Sequence, residues 1–178
     1  AGTYGFGGAQ SIGRSAGGSD TPVLFYSRQI GLTGGREVPI RAGGRVTGRV
    51  GRFSVGVLNV QAGENPVAGT RATNFSVIRV KRDLLRKSNI GVLFTGRSVS
   101  QRGVGSNEAY GIDGTFSFFD DLAINTYWAR TRTDGLTTDA DSYRAQLDYT
   151  GDRYGVRVDH LAVGAGFNPE VGFARRRD

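Results

Sequence analysis

The chain has 178 residues, 38% of them apolar, with 29 glycines, four prolines and no cysteine. It is long enough for one domain with a core, and it excludes disulfide frameworks and thiolate metal sites. Net charge is +7, and all but two of the 23 basic residues are arginine, the exceptions being Lys81 and Lys87.

High glycine without proline and without a tripeptide period excludes collagen and a flexible linker. No run reaches the ~18–20 apolar residues of a membrane helix. The start, "AGTYGFGGAQ", lacks the charged head and apolar centre of a signal peptide. The arginine excess fits attraction to an anion such as nucleic acid, lipopolysaccharide or acidic sugar, and equally a GC-rich coding bias.

Residues Ala1–Thr21 are rich in glycine and serine and read as a loop or junction; from 22 onward the chain reads as short strands. The stretch "IRAGGRVTGRV" puts Ile40, Ala42, Gly44, Val46, Gly48 and Val50 on one face and Arg41, Gly43, Arg45, Thr47 and Arg49 on the other. Such alternation defines a strand, because side chains switch faces at each residue. In "RFSVGVLNVQ" the alternation breaks at Leu58 and Val60. In "NFSVIRVKR" Phe75 and Val77 share a parity with Arg79 and Lys81. A bulge, or cover on both faces, would account for either.

The next hairpin is cleaner. Tyr110, Ile112, Gly114, Phe116 and Phe118 share a face, and a three-residue loop at Phe119–Asp121 sets Phe118 opposite Leu122, Phe116 opposite Ile124 and Ile112 opposite Trp128. In the last hairpin, a two-residue turn at Gly151-Asp152 predicts Tyr149 opposite Tyr154, Leu147 opposite Val156 and Ala145 opposite Val158. The same register sets Arg144 against Asp159 and Gln146 against Arg157.

Tight turns near Gly51, Arg86, Asp120 and Gly151 lie 31 to 35 residues apart, with longer polar or glycine-rich loops between them. Short and long connections alternate along the whole chain. The pattern predicts an all-β, antiparallel up-and-down transmembrane β-barrel, sorted into a short-turn end and a long-loop end. A charged residue at mid-membrane on the lipid side costs roughly 2–4 kcal/mol. Arg41, Arg45, Arg49, Asp113, Arg144, Gln146, Asp148, Arg157 and Asp159 are therefore expected to line the lumen. Tyr110, Phe116, Phe118, Trp128, Tyr143, Tyr149 and Tyr154 are expected to form lipid-facing aromatic girdles.

At "LFYSRQIGL", "VPI", "GGRVTGRVGRFSVGVLNVQ" and "ATNFSVIRVKRDLLRKSNIGVLFTGRS" the sequence resembles the barrel part of a bacterial family of unknown function. In that family the barrel follows a domain similar to family-9 carbohydrate-binding modules. The resemblance is specific from about Thr21 to Ser98 and looser beyond. It implies a longer outer-membrane protein, with "AGTYGFGG" near the junction and this chain a fragment of about nine strands and the start of a tenth. "GFARRRD" does not look like a barrel's closing strand. The implied role is passage or handling of polar solutes, carbohydrate among them, with no catalytic residues to carry over.

Other chemistry is thin. His160 is the only histidine, and a hydrolase would need it beside a serine such as Ser142. Asp120 with Asp121, and Asp139 with Asp141, are paired carboxylates in turns, where aspartate is common anyway. "RVKRDLLRKS" reads as a basic rim rather than a nucleic-acid site, since no aromatics interleave it. The expected partners are outer-membrane lipid, polar or anionic solutes or glycans, and the remaining strands of a longer chain. No nucleic acid, cofactor or metal is expected. The competing readings are a soluble β-barrel binding an acidic ligand and an outer-membrane hydrolase using His160.

Overall fold

The computed structural model describes residues 9–11, 21–27, 30–33, 36–102, 104–136 and 140–174. Four short strands come first: β1 (Ala9–Ser11), β2 (Val23–Tyr26), β3 (Leu32–Thr33) and β4 (Arg36–Glu37). Eight long strands follow: β5 (Ile40–Val50), β6 (Phe53–Ala62), β7 (Thr73–Leu85), β8 (Ser88–Arg97), β9 (Asn107–Phe118), β10 (Leu122–Thr133), β11 (Asp141–Thr150) and β12 (Gly155–Val163). The eight form one antiparallel sheet in strict chain order, each paired with the next. Among the described residues there is no α-helix, and helical geometry is confined to a 3-10 turn at Pro66–Ala68 and to Ser27. The fold is thus all-β and up-and-down, with β5 and β12 as its two edges.

The eight strands of the sheet compare with the nine or ten expected. Val23–Tyr26 pairs with β1 and with the segment around Phe173, not with the sheet's edge. Of the Ala1–Thr21 segment read as loop, Ala9–Ser11 is a strand; residues 1–8 and 12–20 lie outside the described residues. So do residues 175–178 of "GFARRRD".

The β9–β10 register is the expected one, with Phe118 opposite Leu122, Phe116 opposite Ile124 and Ile112 opposite Trp128. Phe119 closes this loop in the left-handed region, at φ 55°. On the same face Gly114 leaves room for the ring of Phe116, which occupies the space a Cβ would take. A ring over a glycine restores the packing that the missing side chain forfeits.

The β11–β12 hairpin corrects its expectation. Its turn has four residues, 151–154, rather than two, and Thr150 pairs with Gly155. The register therefore slides by two: Tyr149 faces Val156, Leu147 faces Val158, Ala145 faces His160, Asp148 faces Arg157 and Gln146 faces Asp159. Because the strand period is two, the slide changes every partner and no face. Tyr154 falls in the turn, outside the strand.

In β5 the alternation is interrupted as well. A bulge between Ile40 and Ala42 leaves Arg41 as the extra residue, so its place in the arginine ladder is lost. In β7, by contrast, pairing with β6 runs unbroken from Thr73 to Arg82. The mixed parity of Phe75, Val77, Arg79 and Lys81 is therefore a property of one face, not of a bulge.

Oxidative cross-linking tests the slide, because the natural chain has no cysteine. Ala145→Cys with His160→Cys should form a disulfide, whereas Ala145→Cys with Val158→Cys, a diagonal pair, should not. Preferential cross-linking of the second pair would restore the two-residue turn.

Candidate functional site: the covered face and its plug

The sheet has one face covered by other parts of the chain and one face bare. Strand β11 shows the division residue by residue. Arg144 and Gln146 are 5% and 2% exposed, while their neighbours Tyr143 and Leu147 are 46% and 36% exposed. In β9 Asp113 is buried and Ile112 exposed. At these positions polar residues lie inside and apolar residues outside, the reverse of a water-soluble sheet.

The covered face is itself split along the strands. From the middle of the strands to the tight turns it carries the charged residues, with Asp113 and Arg144 at mid-strand in one row with Tyr127. Arg79 of β7 reaches across β8 to make a two-pronged pair with Asp113 of β9, its second nitrogen donating at 2.9 Å. The strand between supplies Gly91, where any side chain would meet the Arg79 guanidinium. Arg144 donates from Nε to Asp159 at 2.8 Å, holds the other oxygen through Nη2, and donates to the Thr21 hydroxyl at 2.7 Å. Arg157 pairs with Asp148, its Nε at 2.9 Å, and Arg49 pairs with Asp83 at 2.9 Å. Each of these cations thus has a carboxylate on another strand; Arg79 and Arg144 grip both oxygens, a geometry suited to a partly dry site, while Arg49 and Arg157 are exposed.

Toward the long-loop end the same face turns apolar. Val60, Ala62, Phe75, Val77, Leu93, Ala109, Tyr127 and Ala129 form a core with Leu24 and Phe25 of β2 and with Phe167 and Val171 near the C-terminus. Burying a side chain such as Phe25 or Phe167 contributes about 1.5–3 kcal/mol, enough to hold these segments against the sheet. Backbone bonds join the two plug segments: Val23 N–H to the Phe173 carbonyl at 2.9 Å, Phe173 N–H to the Val23 carbonyl at 2.7 Å, and Tyr26 N–H to the Val171 carbonyl at 2.9 Å. Gly172 is required there, since a Cβ would run into the Val23 carbonyl.

A polar latch ties this plug to the loops. Glu170, fully buried, accepts from the Ser100 hydroxyl at 2.7 Å and the Gln101 N–H at 2.6 Å. Arg97 lies 4.0 Å from it. Glu170 N–H donates to the Asn107 side chain at 3.1 Å, and the Asn107 amide donates to Thr133 at 2.7 Å and to the Asn168 carbonyl at 2.9 Å. Asn168 N–H donates to the Thr131 hydroxyl at 3.0 Å. Every buried polar group named here gains a partner across elements far apart in the chain, which makes the docking position specific.

The residues singled out from sequence sort as follows. Asp113, Arg144, Gln146, Asp148, Arg157 and Asp159 sit on the covered face, the last two on the edge strand β12 and exposed. Arg45 and Arg49 share that face by register, opposite Leu58 and Ser54, but β5 is exposed along its whole length. Tyr110, Phe116, Phe118, Trp128, Tyr143 and Tyr149 sit on the bare face. Trp128 lies opposite Tyr143 and its ring centroid is 6.0 Å from that of Tyr110. Six residues along β10 from Trp128, Leu122 lies between Phe118 and Tyr149.

Ser142 and His160 are not brought together. Ser142 is buried on the covered face, hydrogen-bonded to Tyr127 at 3.0 Å, while His160 is on the bare face beside Tyr143. Asp120 pairs with Lys87 at 2.9 Å, and that hydrogen bond holds its carboxyl below the usual range. Asp141 bonds to Arg130 at 3.3 Å, while its expected companion Asp139 lies outside the described residues.

Sequence reading missed the latch. By composition "GAGFNPEVG" is one of the longer glycine-rich connections, although Phe167 and Val171 flanking Asn168 and Glu170 are an available sign that it is buried. Compared with known proteins, the chain matches no family model, no curated protein and no solved structure.

Two outcomes follow from this geometry. Arg79→Leu should lower unfolding stability by about 3–5 kcal/mol, because Asp113 stays buried without its partner; adding Asp113→Leu should recover most of the loss. Equal loss in single and double variants would deny the pairing. Glu170→Ala should leave the Ser100 hydroxyl without its acceptor, at about 1–3 kcal/mol, and speed proteolysis within residues 164–174 while the sheet's circular dichroism is kept. Unchanged cleavage would remove Glu170 from the latch.

Proposed function

We propose that the chain forms part of the wall of a bacterial outer-membrane β-barrel that passes or handles polar solutes, with its interior stoppered at the long-loop end by its own chain. The observation that carries this reading is the inverted burial on adjacent strands: Asp113, Arg144 and Gln146 inside, Ile112, Tyr143 and Leu147 outside. An exposed apolar band of this extent has no place in water, whereas lipid is its natural solvent.

The dimensions agree. From Tyr110 to Phe118 the bare face of β9 spans about 27 Å along the strand. At a tilt of about 40° this becomes roughly 20 Å, close to the apolar band of outer-membrane barrels. Tyr110, Trp128 and Tyr143 border one side of the band, and Phe116, Phe118 and Tyr149 the other, as interfacial aromatics do. Arg130 and Arg132 of the bare face lie beyond the first row, toward the long loops.

The edges β5 and β12 do not pair with one another among the described residues. In a bilayer such edges must be satisfied, which further strands of a larger barrel would do. The resemblance to barrels that follow a carbohydrate-binding-like domain supports glycans as one class of solute. Separation of Ser142 from His160 speaks against the hydrolase reading that pairs them.

Trp128 is the only tryptophan, so its fluorescence reports one position. Bromine-labelled lipids should quench it strongly and aqueous acrylamide weakly. The opposite ranking, with full solubility in buffer without detergent, would sink the membrane reading. In planar bilayers the intact protein should be closed, and Glu170→Ala combined with Asn107→Ala should raise conductance. An open channel in the intact protein would contradict the stopper.

A further inference from the structure

The tight-turn end carries an arginine cluster that the wall function leaves unused. The β5–β6 and β7–β8 turns lie side by side, with Asp83 N–H donating to the Arg52 carbonyl at 2.9 Å and Arg52 reaching the Leu84 carbonyl at 3.4 Å. Arg82 stands opposite Phe53 with its guanidinium carbon 5.2 Å from the ring centroid. Arg86 is exposed in the next turn. Neighbouring cations are neutralised, Arg49 by Asp83 and Lys87 by Asp120. Among the described residues no carboxylate pairs with Arg52, Arg82 or Arg86.

Three uncompensated guanidinium groups attract a phosphate. Their surroundings decide which kind. Val50, Phe53 and Leu85 are exposed in the same pair of hairpins, so the patch is apolar on one side and cationic on the other. A free anion has no use for the apolar side. A nucleic acid would stack its bases on several open rings, and the patch offers one ring, Phe53, with a face already taken by Arg82. An amphiphile with a phosphate head uses both sides.

We propose that Arg52, Arg82 and Arg86 bind the phosphate headgroup of an anionic phospholipid in the leaflet that meets the tight-turn end, with its acyl chains against Val50, Phe53 and Leu85. The assignment rests on the membrane reading above and adds the lipid class. Each arginine near an anionic surface favours binding about five-fold, so the three together favour it about a hundred-fold.

The detergent-extracted protein is transferred to vesicles of phosphatidylcholine alone and of phosphatidylcholine mixed with phosphatidylglycerol, and partitioning is read from Trp128 emission. The protein should enter both and prefer the second, with a preference that falls as salt rises. The triple variant Arg52→Gln, Arg82→Gln, Arg86→Gln should still enter phosphatidylcholine and lose about a hundred-fold of the preference. The matching lysine triple variant should keep most of it. Entry into neither vesicle overturns the membrane reading and this proposal with it. Entry into both without preference, or preference retained in the glutamine variant, overturns the headgroup site alone. Loss of the preference on adding inorganic phosphate at the concentration of the lipid assigns the arginines to a free anion and likewise overturns it.

Discussion

Charges turned toward the inside of a sheet have to be neutralised there, and the rest of this structure follows from how that is done. Arg79 with Asp113, Arg144 with Asp159 and Arg157 with Asp148 each join different strands. The two-oxygen contacts of Arg79 and Arg144 tolerate little displacement, so these two pairs reinforce strand register from the covered side. Reversing the faces would place these charges outside and, in lipid, add roughly 2–4 kcal/mol for each arginine at mid-depth. The apolar band and the ion pairs therefore select the same orientation.

The covered face also explains why the plug docks where it does. Only its long-loop half is apolar, through residues such as Phe75, Val77 and Leu93. The plug brings Phe25, Phe167 and Val171 to that half. Its polar groups are answered by the latch around Glu170 and Asn107. The charged half offers no comparable apolar surface to the same segments. One strand, β7, thus serves two neighbours: Phe75 and Val77 meet the plug, and Arg79 serves the ion pair beyond it.

Small residues permit the long reaches. Arg79 crosses Gly91, and the C-terminal segment approaches β2 at Gly172. On the bare face glycine has another effect: Gly114 and Gly96 lie beneath the rings of Phe116 and Phe94. The high glycine content is in part the space that arginine and aromatic side chains occupy, rather than a sign of flexible chain.

Read alone, the sequence determined the strands, the two faces and the alternation of short and long connections, because a two-residue period and turn composition are local properties. It determined the β9–β10 register for the same reason, since Phe118 and Leu122 flank a loop whose length is plain in the chain. It did not determine the β11–β12 register, where a turn of four residues preserves the faces as well as a turn of two. Nor did it reveal the bulge at Arg41, the role of Tyr154 in a turn, or the separation of Ser142 from His160. Tertiary structure alone decided that Val23–Tyr26 and the Phe167–Phe173 region leave the sheet and fill one end of its covered face. That choice depends on contacts such as Glu170 with Ser100, made between residues 70 apart, and no pattern of neighbours in the chain encodes a contact at that distance.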